Sequence, residues 1–90
     1  MLSIGQIVYY ARIIPTVGMY EILELKLRTV TDEYFVGTEK REKHAYLFGY
    51  STLGRCIFKD RQEALKVVKE AEKNKKAINE EVFYEEYWLN

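Results

Sequence analysis

Few residues of this 90-residue chain could supply catalytic chemistry. His44 is the only histidine and Cys56 is the only cysteine. Histidine acts as a base, and cysteine as a nucleophile, when a second group orients the side chain or shifts its pKa. His44 adjoins a charged loop and Cys56 lies in a short apolar run, so we interpret them as a surface histidine and a small buried side chain. The sequence predicts no catalytic residue, and we expect a protein that is not an enzyme.

Cofactor and metal sites also lack a sequence signal. The five glycines stand singly, so no glycine-rich phosphate loop is formed. One cysteine and one histidine do not provide the ligand spacing of a zinc site. We therefore expect no cofactor and no metal.

The C-terminal segment, residues 78–90, combines carboxylates with aromatic rings and has a net charge of −4. Paired carboxylates can hydrolyse glycosides, but they must be held across a rigid cleft, and a chain terminus is a poor place for that. Three interpretations stay open: a solvated charged face, rings that pack on the domain itself, or an arm that fills pockets of a protein partner. The candidate partner-binding residues are Glu81, Phe83, Tyr84, Glu85, Tyr87 and Trp88.

A basic loop offers a different kind of binding site. Lys40, Arg41 and Lys43 lie near aromatic residues at positions 34, 35 and 46. Small barrels bind single-stranded nucleic acid through a basic groove with stacking rings. The acidic neighbours at positions 39 and 42 dilute this charge, and the net charge of the whole chain is zero. Nucleic-acid binding through this loop is therefore the alternative to protein binding.

The elements that would position these residues are mostly strands. Runs of β-branched and aromatic residues predict strands over residues 4–14, 20–30, 34–38, 44–50 and 55–58. In the second, Leu23, Leu25 and Leu27 alternate with polar residues, so we expect the leucines to share a buried face. Turns are predicted at 15–18, 31–33 and 51–54. Five short strands at this spacing are typical of a small barrel or sandwich.

A helix is predicted after the last strand, over about residues 61–74. Asp60 is a favourable N-cap, and Glu63 follows at the spacing of a capping box. Ala64, Leu65, Val68 and Ala71 trace one apolar face of this helix.

The composition is that of one small globular domain. Hydrophobic residues make up 48% of the chain, and eight residues are tyrosine. We divide it into a folded body, residues 1–77, and an arm, residues 78–90. Exposed aromatic residues also make a homodimer possible. With a single cysteine, no signal peptide and no apolar run that could span a membrane, the chain is expected to be cytoplasmic.

The junction between the last strand and the helix is the most specific part of the sequence. A glycine turn at Gly54, a strand ending at Phe58, the cap at Asp60 and the pair Glu63-Ala64 follow one another. This order resembles the ending of SH3-like barrels in small proteins of Gram-positive bacteria and their phages. Residues 4–72 as a whole resemble uncharacterised phage and prophage proteins. Cys56, which stands where a β-branched residue is usual, and the acidic arm depart from the pattern.

The resemblance implies a five-stranded SH3-like barrel followed by a capped helix, encoded by a phage or mobile element. Short proteins of that origin are often inhibitors of host machinery, including anti-CRISPR and other anti-defence proteins. The leading hypothesis is therefore a protein-binding module that inhibits a host factor such as a defence nuclease in the bacterial cytoplasm.

Overall fold

The computed structural model describes residues 1–73, which form five antiparallel strands and one helix. The strands are β1 (Ile7–Ile14), β2 (Met19–Val30), β3 (Tyr34–Glu39), β4 (Ala45–Gly49) and β5 (Ile57–Phe58), and the helix is α1 (Arg61–Lys73). Short 3-10 turns lie at Pro15–Val17 and Tyr50–Thr52. The sheet has the order β4-β3-β2-β1-β5 and curls into a half-barrel. The predicted fold class is confirmed: the chain is mainly β, consistent with a small SH3-like barrel plus a helix.

Two predicted strands start too early in the sequence. β1 begins at Ile7 because the chain turns at Gly5, whose φ of 91° favours glycine, and the Gln6 N–H donates back to the Ser3 carbonyl at 3.1 Å. β5 begins at Ile57 because the N–H groups of Arg55 and Cys56 both donate to the Thr52 carbonyl at 3.0 Å. In both places an N–H group just before the strand donates within a turn and not to a neighbouring strand.

The predicted turns before and after β2 are confirmed. Gly18 takes the left-handed conformation, with φ 67°, and its N–H donates to the Pro15 carbonyl. After β2, the Thr31 hydroxyl oxygen accepts the Tyr34 N–H at 3.0 Å. Both turns send the chain back antiparallel to the preceding strand.

The inner face of the half-barrel carries the larger core. In β2, Leu25 and Leu27 are buried and Leu23 packs partly against them, whereas Glu24 and Lys26 are exposed. The alternation read from the sequence is confirmed. This inner core consists of Leu2, Val8, Tyr10, Leu25, Leu27, Phe35, Phe48, Cys56 and Ile57.

The helix α1 packs on the outer face and forms a second core. The Asp60 carboxylate accepts the Gln62 N–H at 3.0 Å and caps the first turn. Ala64, Val68 and Ala71 are buried and Leu65 is half-buried, as the helical pattern predicts. The second core consists of Ala11, Ile13, Phe58, Ala64, Val68 and Ala71. The helix thus covers the outer face over β1 and the adjoining end of β2.

Candidate interaction surface

The loop between β3 and β4 is fixed by its own backbone. The Glu39 N–H donates to the His44 carbonyl at 2.8 Å, and the Lys43 N–H donates to the Glu39 carbonyl at 2.9 Å. Lys43 takes a positive φ of 60°, which is uncommon for a residue other than glycine. The basic residues are therefore presented by a closed, hydrogen-bonded turn.

Glu39 holds this turn from the inner side. Its Oε1 accepts the Glu42 N–H at 2.6 Å, and its side chain is largely buried. Backbone hydrogen bonds from Glu42 and Arg41 lower the pKa of the Glu39 carboxyl below its ordinary value of 4.5, and burial opposes them. The positive charges of Arg41 and His44 lower this pKa further. The Glu39 carboxylate thus stabilises the loop through its hydrogen bond to the Glu42 N–H.

The three basic residues of the loop do not share one site. Lys40 and Lys43 line a depression of about 720 Å³ on the outer face, together with Lys26 and Ile7. We call these four residues and the space between them the lysine depression. Glu24 and Glu39 also line it, so the lysines outnumber the carboxylates by one. Arg41 lines a separate depression of about 140 Å³. Lys40 and Lys43 therefore lie at one depression and Arg41 at another.

Lys26 was missed because strand register brings it to the site. Lys26 is paired with Ile7 on β1 and with Thr38 on β3, which in turn is paired with Ala45 on β4. These four residues form a row across the outer face. In the sequence, Lys26 is one polar residue of an alternating strand. The alternation predicts the face of the sheet on which Lys26 lies, but not the residues beside it on the adjacent strands.

The aromatic residues near the basic loop in sequence lie elsewhere in the fold. Phe35 is fully buried, and Tyr46 packs on the inner face against Tyr10 at a ring distance of 5.7 Å and Phe48 at 6.2 Å. Tyr34, at the far end of β3, is half-buried. Within residues 1–73, no aromatic side chain lines the lysine depression. The expected groove of lysines with stacking rings is therefore not what the described part of the chain forms.

His44 and Cys56 have surroundings that agree with their sequence interpretation. The His44 ring is largely exposed, with Nε2 3.7 Å from Glu42 Oε1, and its ring centre lies 6.5 Å from that of Tyr46. Cys56 is buried in the inner core. Among residues 1–73, no three His, Cys, Asp or Glu side chains lie close enough together to hold a metal ion.

Exposed aliphatic side chains lie at the lysine depression and elsewhere on the chain. Ile7, at its edge, is 37% exposed, and Leu47 on β4 is 55% exposed. Ile4, next to the turn that starts β1, is 71% exposed. The part of the outer face not covered by α1 therefore presents both lysines and aliphatic side chains.

The six predicted contact residues of the C-terminal arm (Glu81, Phe83, Tyr84, Glu85, Tyr87 and Trp88) lie outside the described residues. Their role stays a prediction from the sequence.

Comparisons with protein-family models, curated proteins and solved structures found no match to this chain. None of the helices formed by residues 1–73 is long and apolar enough to cross a membrane.

Proposed function

We propose that the chain is a non-catalytic protein-binding module. The observation that carries this proposal is the part of the outer face that α1 does not cover, where Ile7 lies exposed beside Lys26 and Leu47 lies exposed on β4. Exposed aliphatic side chains and charged groups on the same face of a protein are found together at interaction sites. The lysines would select a partner with acidic groups, and the aliphatic side chains would supply the buried area.

The C-terminal arm supplies a second set of contacts in this proposal. Its rings at Phe83, Tyr84, Tyr87 and Trp88 are of the types that dominate binding energy at interfaces. The glutamates between them add charge opposite to that of the lysine depression. One partner could therefore meet a basic face and an acidic arm of the same protein.

The finer proposal is that the partner is a host defence factor, such as a nuclease, inhibited by a phage-encoded protein. It rests on the resemblance of the strand–helix junction, Gly54 to Ala64, to small phage proteins. This proposal is tested by expressing the chain in cells that carry a defence system and measuring phage survival. If the chain inhibits the defence nuclease, phage survival should rise. Unchanged survival against every defence system of a panel would count against an inhibitor.

Truncation tests the binding role of the arm. A chain ending at Ala77 keeps all described elements and loses residues 78–90. We expect affinity capture from a cell lysate to recover a partner with the full chain and much less of it with the truncated chain. Equal recovery would show that the arm does not contribute.

Nucleic-acid binding is the second candidate, and the convergence of Lys26, Lys40 and Lys43 on one depression favours it. Neutralising phosphates with lysines makes binding fall steeply with salt. We expect, if this candidate holds, that Lys26→Ala weakens binding to single-stranded DNA or RNA while Arg41→Ala changes it less. The absence of binding at low salt would exclude it.

A further inference from the structure

Strand β4 is an edge of the sheet formed by the described strands, and its own sequence carries none of the residues that usually protect an edge. Its five residues, Ala45–Gly49, include no charged residue and no proline. Natural edge strands usually carry lysine, proline or a bulge, because an unprotected edge pairs with other strands. Leu47 is the large hydrophobic side chain that this edge exposes, at 55%.

The backbone N–H and C=O groups of β4 point alternately toward β3 and away from it. The Glu39 N–H donates to the His44 carbonyl, and the register continues with Gly37 opposite Tyr46 and Phe35 opposite Phe48. In an antiparallel pair every second residue directs its N–H and C=O to the partner strand. Ala45, Leu47 and Gly49 are the alternate residues, so their backbone groups point away from β3.

We propose that β4 pairs antiparallel with β4 of a second copy of this chain, about a two-fold axis at Leu47. This register overlaps all five residues of both strands and places Ala45 opposite Gly49 of the second copy. It brings the two exposed leucine side chains together on the outer face. The Gly49 carbonyl, which accepts the Thr52 hydroxyl at 2.7 Å, can accept a second hydrogen bond through its other lone pair.

The positions of the charged residues are also compatible with pairing to a second copy. The two-fold register places Lys43 of one copy opposite Ser51 of the other, so the basic loops lie at opposite ends of the paired strands. Like charges directly opposite would oppose pairing, and none arise within Ala45–Gly49. A strand pair of this length gives a small interface, below about 1,200 Å² in total, so the dimer is a weak, concentration-dependent one.

Sedimentation equilibrium of the full chain is the first test, from about 5 to 500 µM, a range suited to weak interfaces. The average mass is expected to rise from 10.7 kDa toward twice that value. Leu47→Lys should weaken dimerisation at least about tenfold, because two ammonium groups would then meet across the axis. Val17→Lys, at an exposed turn away from β4, should dimerise like the unmodified chain. A constant mass of 10.7 kDa, or equal loss with both variants, would overturn the proposal.

Cross-linking then tests the register. Leu47→Cys should be joined to its counterpart by a short bifunctional thiol reagent, because residues directly opposite each other in a hydrogen-bonded strand pair have Cβ atoms about 5.5 Å apart. Val17→Cys is the control, and the unmodified chain reports any reaction of the buried Cys56. Equal cross-linking of the two variants would contradict the register. Dimerisation only after removal of residues 78–90 would mean that the arm of the same chain covers the edge, which would also overturn the proposal.

Discussion

Gly37 shows how the absence of one side chain makes room for core packing. It is buried in β3, and a Cβ atom built there would lie 2.9 Å from the Leu25 Cβ and 3.2 Å from its Cδ1. The missing side chain allows the leucines of β2 to pack closely against β3. The position requires glycine for space, since its backbone has no positive φ.

Gly37→Ala is therefore expected to lower the free energy of unfolding by about 1–3 kcal/mol, the usual cost of overpacking a core. Gly49→Ala is the matched control, because a Cβ there meets nothing within 4 Å and φ is −82°. Its effect should stay within about 0.5 kcal/mol. Urea unfolding of both variants gives the comparison, and equal effects would contradict the packing described for Gly37.

Glu39 gives the β3–β4 loop a pH dependence with a definite sign. The backbone hydrogen bonds lower its folded pKa below 4.5, so the carboxylate stabilises the fold above the unfolded pKa. That contribution is lost as the pH falls through the lowered pKa. Glu39→Gln should be less stable than the unmodified chain at neutral pH, and the difference should shrink below pH 4.5.

Urea unfolding at a series of pH values measures this difference. Glu72→Gln, at an exposed position of α1, serves as the control for removal of one negative charge. A stability difference between Glu39→Gln and the unmodified chain that is the same at acid and neutral pH would show that the carboxylate does not anchor the loop.

At the scale of elements, the N-terminal cap of α1 can be tested by changing the Asp60 side chain. Asp60→Ala removes the acceptor of the Gln62 N–H and should cost about 1 kcal/mol of unfolding free energy. Asp60→Asn keeps a side-chain oxygen at the cap and should cost much less. Thermal or urea unfolding separates the two, and an equal loss would mean that the charge of Asp60, rather than its hydrogen bond, stabilises the helix.

The elements that were predicted well have causes that are local in sequence. The alternation in β2 and the Asp60 cap of α1 depend on residues only a few positions apart, and both are confirmed. The early starts predicted for β1 and β5 were wrong because the N–H groups of Gln6, Arg55 and Cys56 donate within turns. The composition of a segment does not reveal which of its N–H groups donate within a turn.

The candidate site was predicted only in part, because it depends on pairing between distant segments. Lys40 and Lys43 were found as neighbours in sequence, whereas Lys26 joins them through the register of β2 and β3. Arg41, adjacent to Lys40 in sequence, lies at the other depression. The exposure of Leu47 follows from the position of β4 at the sheet edge. Strand order and register cannot be read from one segment.

At the scale of the whole molecule, one curled sheet separates two cores of unequal size. The inner core fills the half-barrel, and α1 covers the outer face over β1, β5 and part of β2. The remaining outer face carries the lysine depression and Leu47. Among residues 1–73 nothing covers this part of the outer face, which is why we propose that it and the arm carry the binding function.

Affinity capture from a nuclease-treated lysate tests the protein-binding proposal most directly. The bait is the full chain, compared with a variant in which Phe83, Tyr84, Tyr87 and Trp88 are replaced by alanine and the glutamates are kept. We predict that the full chain enriches a protein after nuclease treatment. The variant should recover at least about tenfold less of that protein, as expected when aromatic interface residues are removed. Recovery that disappears with nuclease treatment, or no specific protein with either bait, would contradict a protein-binding module.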